Sequence, residues 1–178
     1  GGGGVWVYTS MVELSDSMVF ENEAPSGAGM WVSTGSSAEI ERVVFTDNSA
    51  EPSGGGAIRT GALAGGEDPS SLTLSASLFA NNEAGGTGGA LALEANDLEM
   101  QGNLIYGNSS SADGGAVAVN GLGGQLEISH NIIDANIAER GAALYLEGAE
   151  ITLWNNTYVG GSCTAPGVEA GLIHLAPL

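Results

Sequence analysis

A glycine or alanine followed by an apolar strand recurs seven times in this chain, at Gly4, Gly29, Gly56, Gly89, Gly115, Ala142 and Gly171. The steps between these anchors are 25, 27, 33, 26, 27 and 29 residues. A unit of that length cannot bury an apolar face alone. Stacked on its neighbours it builds a continuous core, so the period specifies a solenoid, propeller or array.

Two further tracks run in step with the first. Val12-Glu13-Leu14, Ala38-Glu39-Ile40, Leu72-Thr73-Leu74, Leu98-Glu99-Met100, Leu126-Glu127-Ile128 and Ile151-Thr152-Leu153 alternate apolar and polar, the pattern of a half-buried strand. Five residues after each of these come Val19, Phe45, Phe79, Ile105, Ile133 and Tyr158, and three further on Asn22, Asn48, Asn82, Asn108 and Asn136, until Gly161 breaks the pattern. No stretch holds a 3.6-residue period, so helix is minor. The expected fold is all-β: a parallel β-helix of about six coils with three short strands each, one domain over residues 1–178. In such a stack the asparagines lie above one another and bond side chain to side chain and to the turn backbone, a structural ladder.

The 178 residues carry a net charge of −18, with 21 acids and three arginines. Nucleic acid and anionic membrane surfaces need basic footprints, so both are disfavoured as partners, and cations or basic proteins are favoured. There is no transmembrane run and no signal-peptide pattern, so direct membrane insertion by this segment is not expected. Cys163 has no partner in the chain and reads as a free thiol, or as half of a bridge to something outside this segment.

Gly55-Gly56-Ala57-Ile58, Gly88-Gly89-Ala90-Leu91 and Gly114-Gly115-Ala116-Val117 share a GGA-plus-aliphatic motif; Phe45-Thr46-Asp47-Asn48 and Phe79-Ala80-Asn81-Asn82 share FxxN. Together they resemble the repeats of the chlamydial polymorphic outer membrane proteins, and more widely the right-handed β-helix proteins of bacterial surfaces. That resemblance implies a right-handed helix and an extracellular or outer-surface location, often as an adhesin or autotransporter passenger. Val19, Ile133 and Tyr158 depart from the aromatic slot. The chain opens on Gly1-Gly2-Gly3-Gly4 and stops on a strand, which reads as uncapped ends. It is therefore expected to be a segment of a longer chain, or a subunit whose ends a partner covers.

Alternation assigns faces. In the first strand, Trp6, Trp31, Ile58, Leu91, Val117, Leu144 and Ile173, with Tyr8, Ser33, Thr60, Leu93, Val119, Leu146 and Leu175, are expected inward. Val5, Met30, Ala57, Ala90, Ala116, Ala143 and Leu172, with Val7, Val32, Arg59, Ala92, Ala118, Tyr145 and His174, are expected outward, with a flat alanine field at the centre whose plainer reading is tight backbone packing. In the third strand, Phe45 and Phe79 inward place Met18, Val44, Leu78, Leu104 and Ile132 outward, followed by Thr157. Each large apolar side chain there gains roughly 1.5–3 kcal/mol on burial. Such a stripe reads either as covered by the chain's own loop or as a docking surface for another chain or domain. In the second strand Glu13 and Glu39, then Glu99 and Glu127, form an acidic ladder interrupted by Thr73. The bland reading is a solvated face; the sharper one is weak Ca²⁺ binding by the two pairs, without any EF-hand or RTX motif.

Many β-helices cleave acidic polysaccharides with clustered Asp residues and basic side chains. Here Arg42, Arg59 and Arg140 fall in different coils, Asp16, Asp47, Asp68, Asp97, Asp113 and Asp134 are scattered, and His130 and His174 lack an evident catalytic setting. The irregular Gly61–Ser70 stretch reads as a tolerated insertion rather than a functional loop. Asn108-Ser109-Ser110 and Asn155-Asn156-Thr157 are formal glycosylation sequons expected to go unused. The leading expectation is a non-catalytic surface or extracellular scaffold that binds another protein, along the third-strand face and at its ends, or acts as a structural rod. The alternatives are a glycan-binding module displaying Tyr106 and Tyr145, and a lyase or hydrolase of the pectin-lyase-like class.

Overall fold

A computed structural model describes residues 2–33, 35–61, 70–94, 97–121, 124–148, 150–165 and 171–176. The described residues form four parallel sheets and no helix. The first sheet stacks Val5–Tyr8, Met30–Ser33, Ile58–Gly61, Leu91–Leu93, Val117–Asn120, Leu144–Glu147 and Ile173–Ala176. The second holds Met11–Ser15, Ser37–Glu41, Ser71–Ser75, Asp97–Gln101, Gln125–Ser129 and Glu150–Trp154, and the third Met18–Phe20, Val44–Thr46, Leu78–Ala80, Leu104–Tyr106, Ile132–Asp134 and Thr157–Val159. These are the three strands per coil that the repeat implies. A fourth sheet of two-residue strands, Glu23–Ala24, Ser49–Ala50, Glu83–Ala84, Ser109–Ser110, Ile137–Ala138 and Ser162–Cys163, follows the corners, asparagine in the first five coils and Gly161 in the sixth. Two residues show no alternation, which is why the sequence hides these strands.

Each coil places equivalent residues above one another. Val12, Ala38, Leu72, Leu98, Leu126 and Ile151 form one register line. The core is a thin apolar column. Phe45 and Phe79 stack inside it with ring centroids 5.2 Å apart and planes 6° from parallel. The asparagine ladder is continuous: Asn22 donates from Nδ2 to Asn48, Asn48 to Asn82, Asn82 to Asn108 and Asn108 to Asn136, at 2.8–3.0 Å. Parallel strands place every bond of this kind in the same sense, so the side chains polarise one another along the stack. A second ladder, Asn103 to Asn131 to Asn156, turns the corner between the second and third sheets. Its residues stand two before the inward slot, in Asn103-Leu104-Ile105, Asn131-Ile132-Ile133 and Asn156-Thr157-Tyr158, so the signal was present in the sequence.

The first two coils correct the assigned faces. Gly4 and Gly29 start the strand directly, whereas Ala57 intervenes between Gly56 and Ile58, so Val5 and Met30 align with Ile58. A one-residue slip inverts every side chain in a strand. Met30 and Val32 are therefore fully buried and Val7 is buried, while Trp6 and Trp31 join the outward row of Arg59. Trp6 is 54% and Tyr8 50% exposed. From Ile58 onward the inward rows stand as read, except that Leu175, at the end of the stack, is exposed.

The alanine field is not an open surface. Ala57, Ala90, Ala116 and Ala143 belong to the core, and Ala92 and Ala118 are covered. The glycine turn that enters the first strand lies over this row: a Cβ on Gly54 would stand 3.1 Å from the Ala92 methyl.

Candidate functional site: the outer face of the third sheet

Three-residue strands with a buried centre leave two outward rows on the third sheet. One is Met18, Val44, Leu78, Leu104, Ile132 and Thr157. The other is Phe20, Thr46, Ala80, Tyr106, Asp134 and Val159. Met18, Phe20, Leu104, Tyr106, Ile132 and Val159 are 41–61% exposed, and Val44 and Leu78 are half-buried. The stripe thus points to solvent as read, and the adjacent row, of which sequence reasoning singled out only Tyr106, adds Phe20 and Val159 beside it. Phe20, Tyr106 and Val159 follow the inward slot by one, so the same alternation locates them.

Carboxylates border this face. Glu21 and Asp47 occupy the left-handed corner just after the third strand, with φ of +53° and +55°. Glu23 and Glu83 point outward from the fourth sheet beyond them. On the opposite corner Arg42 donates to Asp16 through Nε at 2.7 Å and Nη2 at 2.8 Å, and also pairs with Glu41. The Arg42 guanidinium holds the Asp16 carboxyl below its ordinary range, and Asp16 in turn raises Arg42.

The second sheet carries the acidic ladder. Glu13, Glu39, Thr73, Glu99, Glu127 and Thr152 lie in one register line and, Thr73 apart, are exposed. Asp97, Glu99, Glu127 and Glu150 line a shallow groove of about 340 Å³. Asp97 accepts the Gln125 amide at 2.9 Å. Among the described residues, no group of three or more His, Cys, Asp or Glu is placed to hold a metal ion.

The basic side chains are engaged elsewhere. Arg140 grips Asp113 through Nε and Nη2, both at 2.8 Å, and lies over the Tyr145 ring at 5.1 Å. Arg59 bonds Ser26 at 2.9 Å and pairs with Glu94. His130, at the corner between the second and third sheets, meets the Trp154 ring edge-on at 4.4 Å. His174 stacks on Tyr145 at 5.1 Å in the first sheet, so the two histidines belong to different faces. Tyr145 is covered and cannot serve as an exposed platform; burial pushes its hydroxyl above the ordinary value. Cys163 is a half-buried free thiol whose sulfur lies 3.2 Å from the Gly171 carbonyl. Asn108 is buried in the ladder, out of reach of a glycosylating enzyme. Asp68 and most of the Gly61–Ser70 insertion, residues 62–69, lie outside the described residues.

The chain belongs to the right-handed β-helix region family, whose model matches residues 1–172. No curated protein and no solved structure matches it. The family match agrees with the near-universal right-handedness of parallel crossovers.

Proposed function

We propose that this protein is a non-catalytic, extracellular or cell-surface β-helix that binds another protein through the outer face of its third sheet. The single observation that carries this reading is the exposure of Met18, Phe20, Leu104, Tyr106, Ile132 and Val159 on two adjacent rows of one sheet. Monomeric proteins rarely leave such a patch wet, and larger ones mark interaction sites. The engagement of Arg42, Arg59 and Arg140 with carboxylates supports a scaffold over a polysaccharide-cleaving enzyme. The motifs resembling chlamydial outer-membrane repeats fit an adhesin-like role. Carbene footprinting of the native protein on its producing cells, compared with the purified chain, tests the reading. Met18, Phe20, Leu104, Tyr106 and Ile132 should be protected in place and labelled when purified. Equal labelling in both settings refutes it.

A second reading, glycan binding, gains one specific observation. Trp6 and Tyr8, which sequence alternation had turned inward, are exposed on the first sheet with ring centroids 6.0 Å apart. Their planes are tilted by 41°, so each ring offers its own apolar face and polar edge, the amphipathic pairing a sugar presents. Glycan-array binding that disappears on Trp6→Ala would favour this reading over the first.

A further inference from the structure

We propose that the occupant of the third-sheet face is a single amphipathic α-helix with a basic flank, supplied by a different protein and lying along the solenoid axis. This rests on the docking reading above and specifies its partner. Three-residue strands make the face about 10 Å wide, and the five intervals between six strands make it about 24 Å long. An α-helix is about 10–12 Å across and rises 1.5 Å per residue, so about 16 residues cover the strip.

A helix fits for a second reason. The backbone groups of the third sheet are spent in its own parallel ladder. An extended segment laid on a sheet face finds no backbone partners there, whereas a helix satisfies its own. The charge follows from the border. Glu21, Glu23, Asp47, Glu83 and Asp134 line the side toward the fourth sheet, and Arg42 at the opposite corner is already held by Asp16 and Glu41. A partner with apolar residues at helical spacing and Lys or Arg beside them is complementary. A second copy of this chain is not: with a net charge of −18 it would bring one acidic border against another.

Two synthetic helical peptides of about 16 residues test this. Both carry the same leucine stripe; one is flanked by lysine and the other by glutamate. Each is titrated into the intact chain at physiological salt by fluorescence anisotropy, with light scattering of the chain alone. The lysine-flanked peptide should bind at least about tenfold tighter than its counterpart. The double variant Leu104→Ser/Ile132→Ser, which alters exposed side chains, should weaken it by about tenfold or more, and Asp47→Asn/Asp134→Asn should weaken it measurably. If both peptides bind equally and both lose affinity on Leu104→Ser/Ile132→Ser, the basic-helix assignment falls and the docking face stands. If Leu104→Ser/Ile132→Ser changes nothing, the peptide sits elsewhere on the acidic surface and both readings fall. A dimer of the chain alone that Leu104→Ser/Ile132→Ser dissociates makes the occupant a second copy. Failure of the lysine-flanked peptide to bind also overturns the proposal.

Discussion

Replacing Asn82 with alanine should be among the most damaging single changes to this fold. Asn82 donates from Nδ2 to Asn108 Oδ1 at 2.9 Å and to the Phe45 carbonyl at 3.1 Å. Its Oδ1 accepts from Asn48 Nδ2 at 2.9 Å and from the Asn48 amide at 3.2 Å. Alanine removes all of these in a fully buried site. Two partners keep an alternative. Asn48 Nδ2 still donates to the Val19 carbonyl at 3.0 Å, and Asn108 Oδ1 still accepts from the residue-82 amide at 2.9 Å. The buried Asn48 amide loses its side-chain acceptor, and the Phe45 carbonyl loses this donor. At about 1 kcal/mol per bond, with 1–3 kcal/mol for an unsatisfied buried group, the loss is about 4 kcal/mol. Asn22, half-buried at the end of the same ladder, should cost only about 1 kcal/mol when changed to alanine. Urea unfolding followed by far-ultraviolet circular dichroism measures both, through midpoint and slope. If Asn82→Ala costs no more than Asn22→Ala, the ladder is not the source of stability claimed for it.

Core packing, corner geometry and buried hydroxyls set three further expectations. Phe79→Ala removes one ring of the stacked pair inside the column and should cost about 3–5 kcal/mol in the same urea assay. Gly55→Ala should unfold the coil or abolish soluble expression, since φ is +73° and a Cβ would stand 2.5 Å from the Ile58 carbonyl oxygen. Stability should fall at alkaline pH. Burial raises the Tyr145 and Tyr158 hydroxyls above their ordinary 10.0, so their contribution is complete below that pH and is lost as pH rises through the higher folded values. A urea midpoint unchanged well above pH 10 would contradict the burial of both rings.

The sequence revealed the solenoid because every coil repeats the same chemistry at the same offset. Phe45 and Phe79, Asn48 and Asn82, and Leu74 and Met100 each report their own environment, and their recurrence removes the ambiguity of any one strand. The outward stripe of the third strand was legible for the same reason: a large inward residue at Phe45 or Phe79 obliges its neighbour to face out. The first sheet misled at Trp6 and Met30, where glycine abuts the strand without the intervening alanine. Strands tolerate no such slip, because a shift of one residue exchanges core and surface. For the alanine row the sequence offered an outward field or tight backbone packing, and the glycine turn lying over Ala92, which comes from another coil, makes it the second.

Local alternation and period thus determined three of the four strands in each coil, the coil count, the asparagine corner and the direction of Leu78 and Leu104, all of which depend on residues near in sequence or repeated at a fixed interval, while the two-residue fourth strands came from the tertiary structure. The tertiary structure alone decided which side chains share a face across coils: Trp6 beside Tyr8 in the open, Arg140 over Tyr145, and the outward stripe set between acidic borders. Register across a parallel sheet is set by residues roughly one coil apart pairing their backbones, and a linear pattern carries that pairing only where every coil enters its strand in the same way.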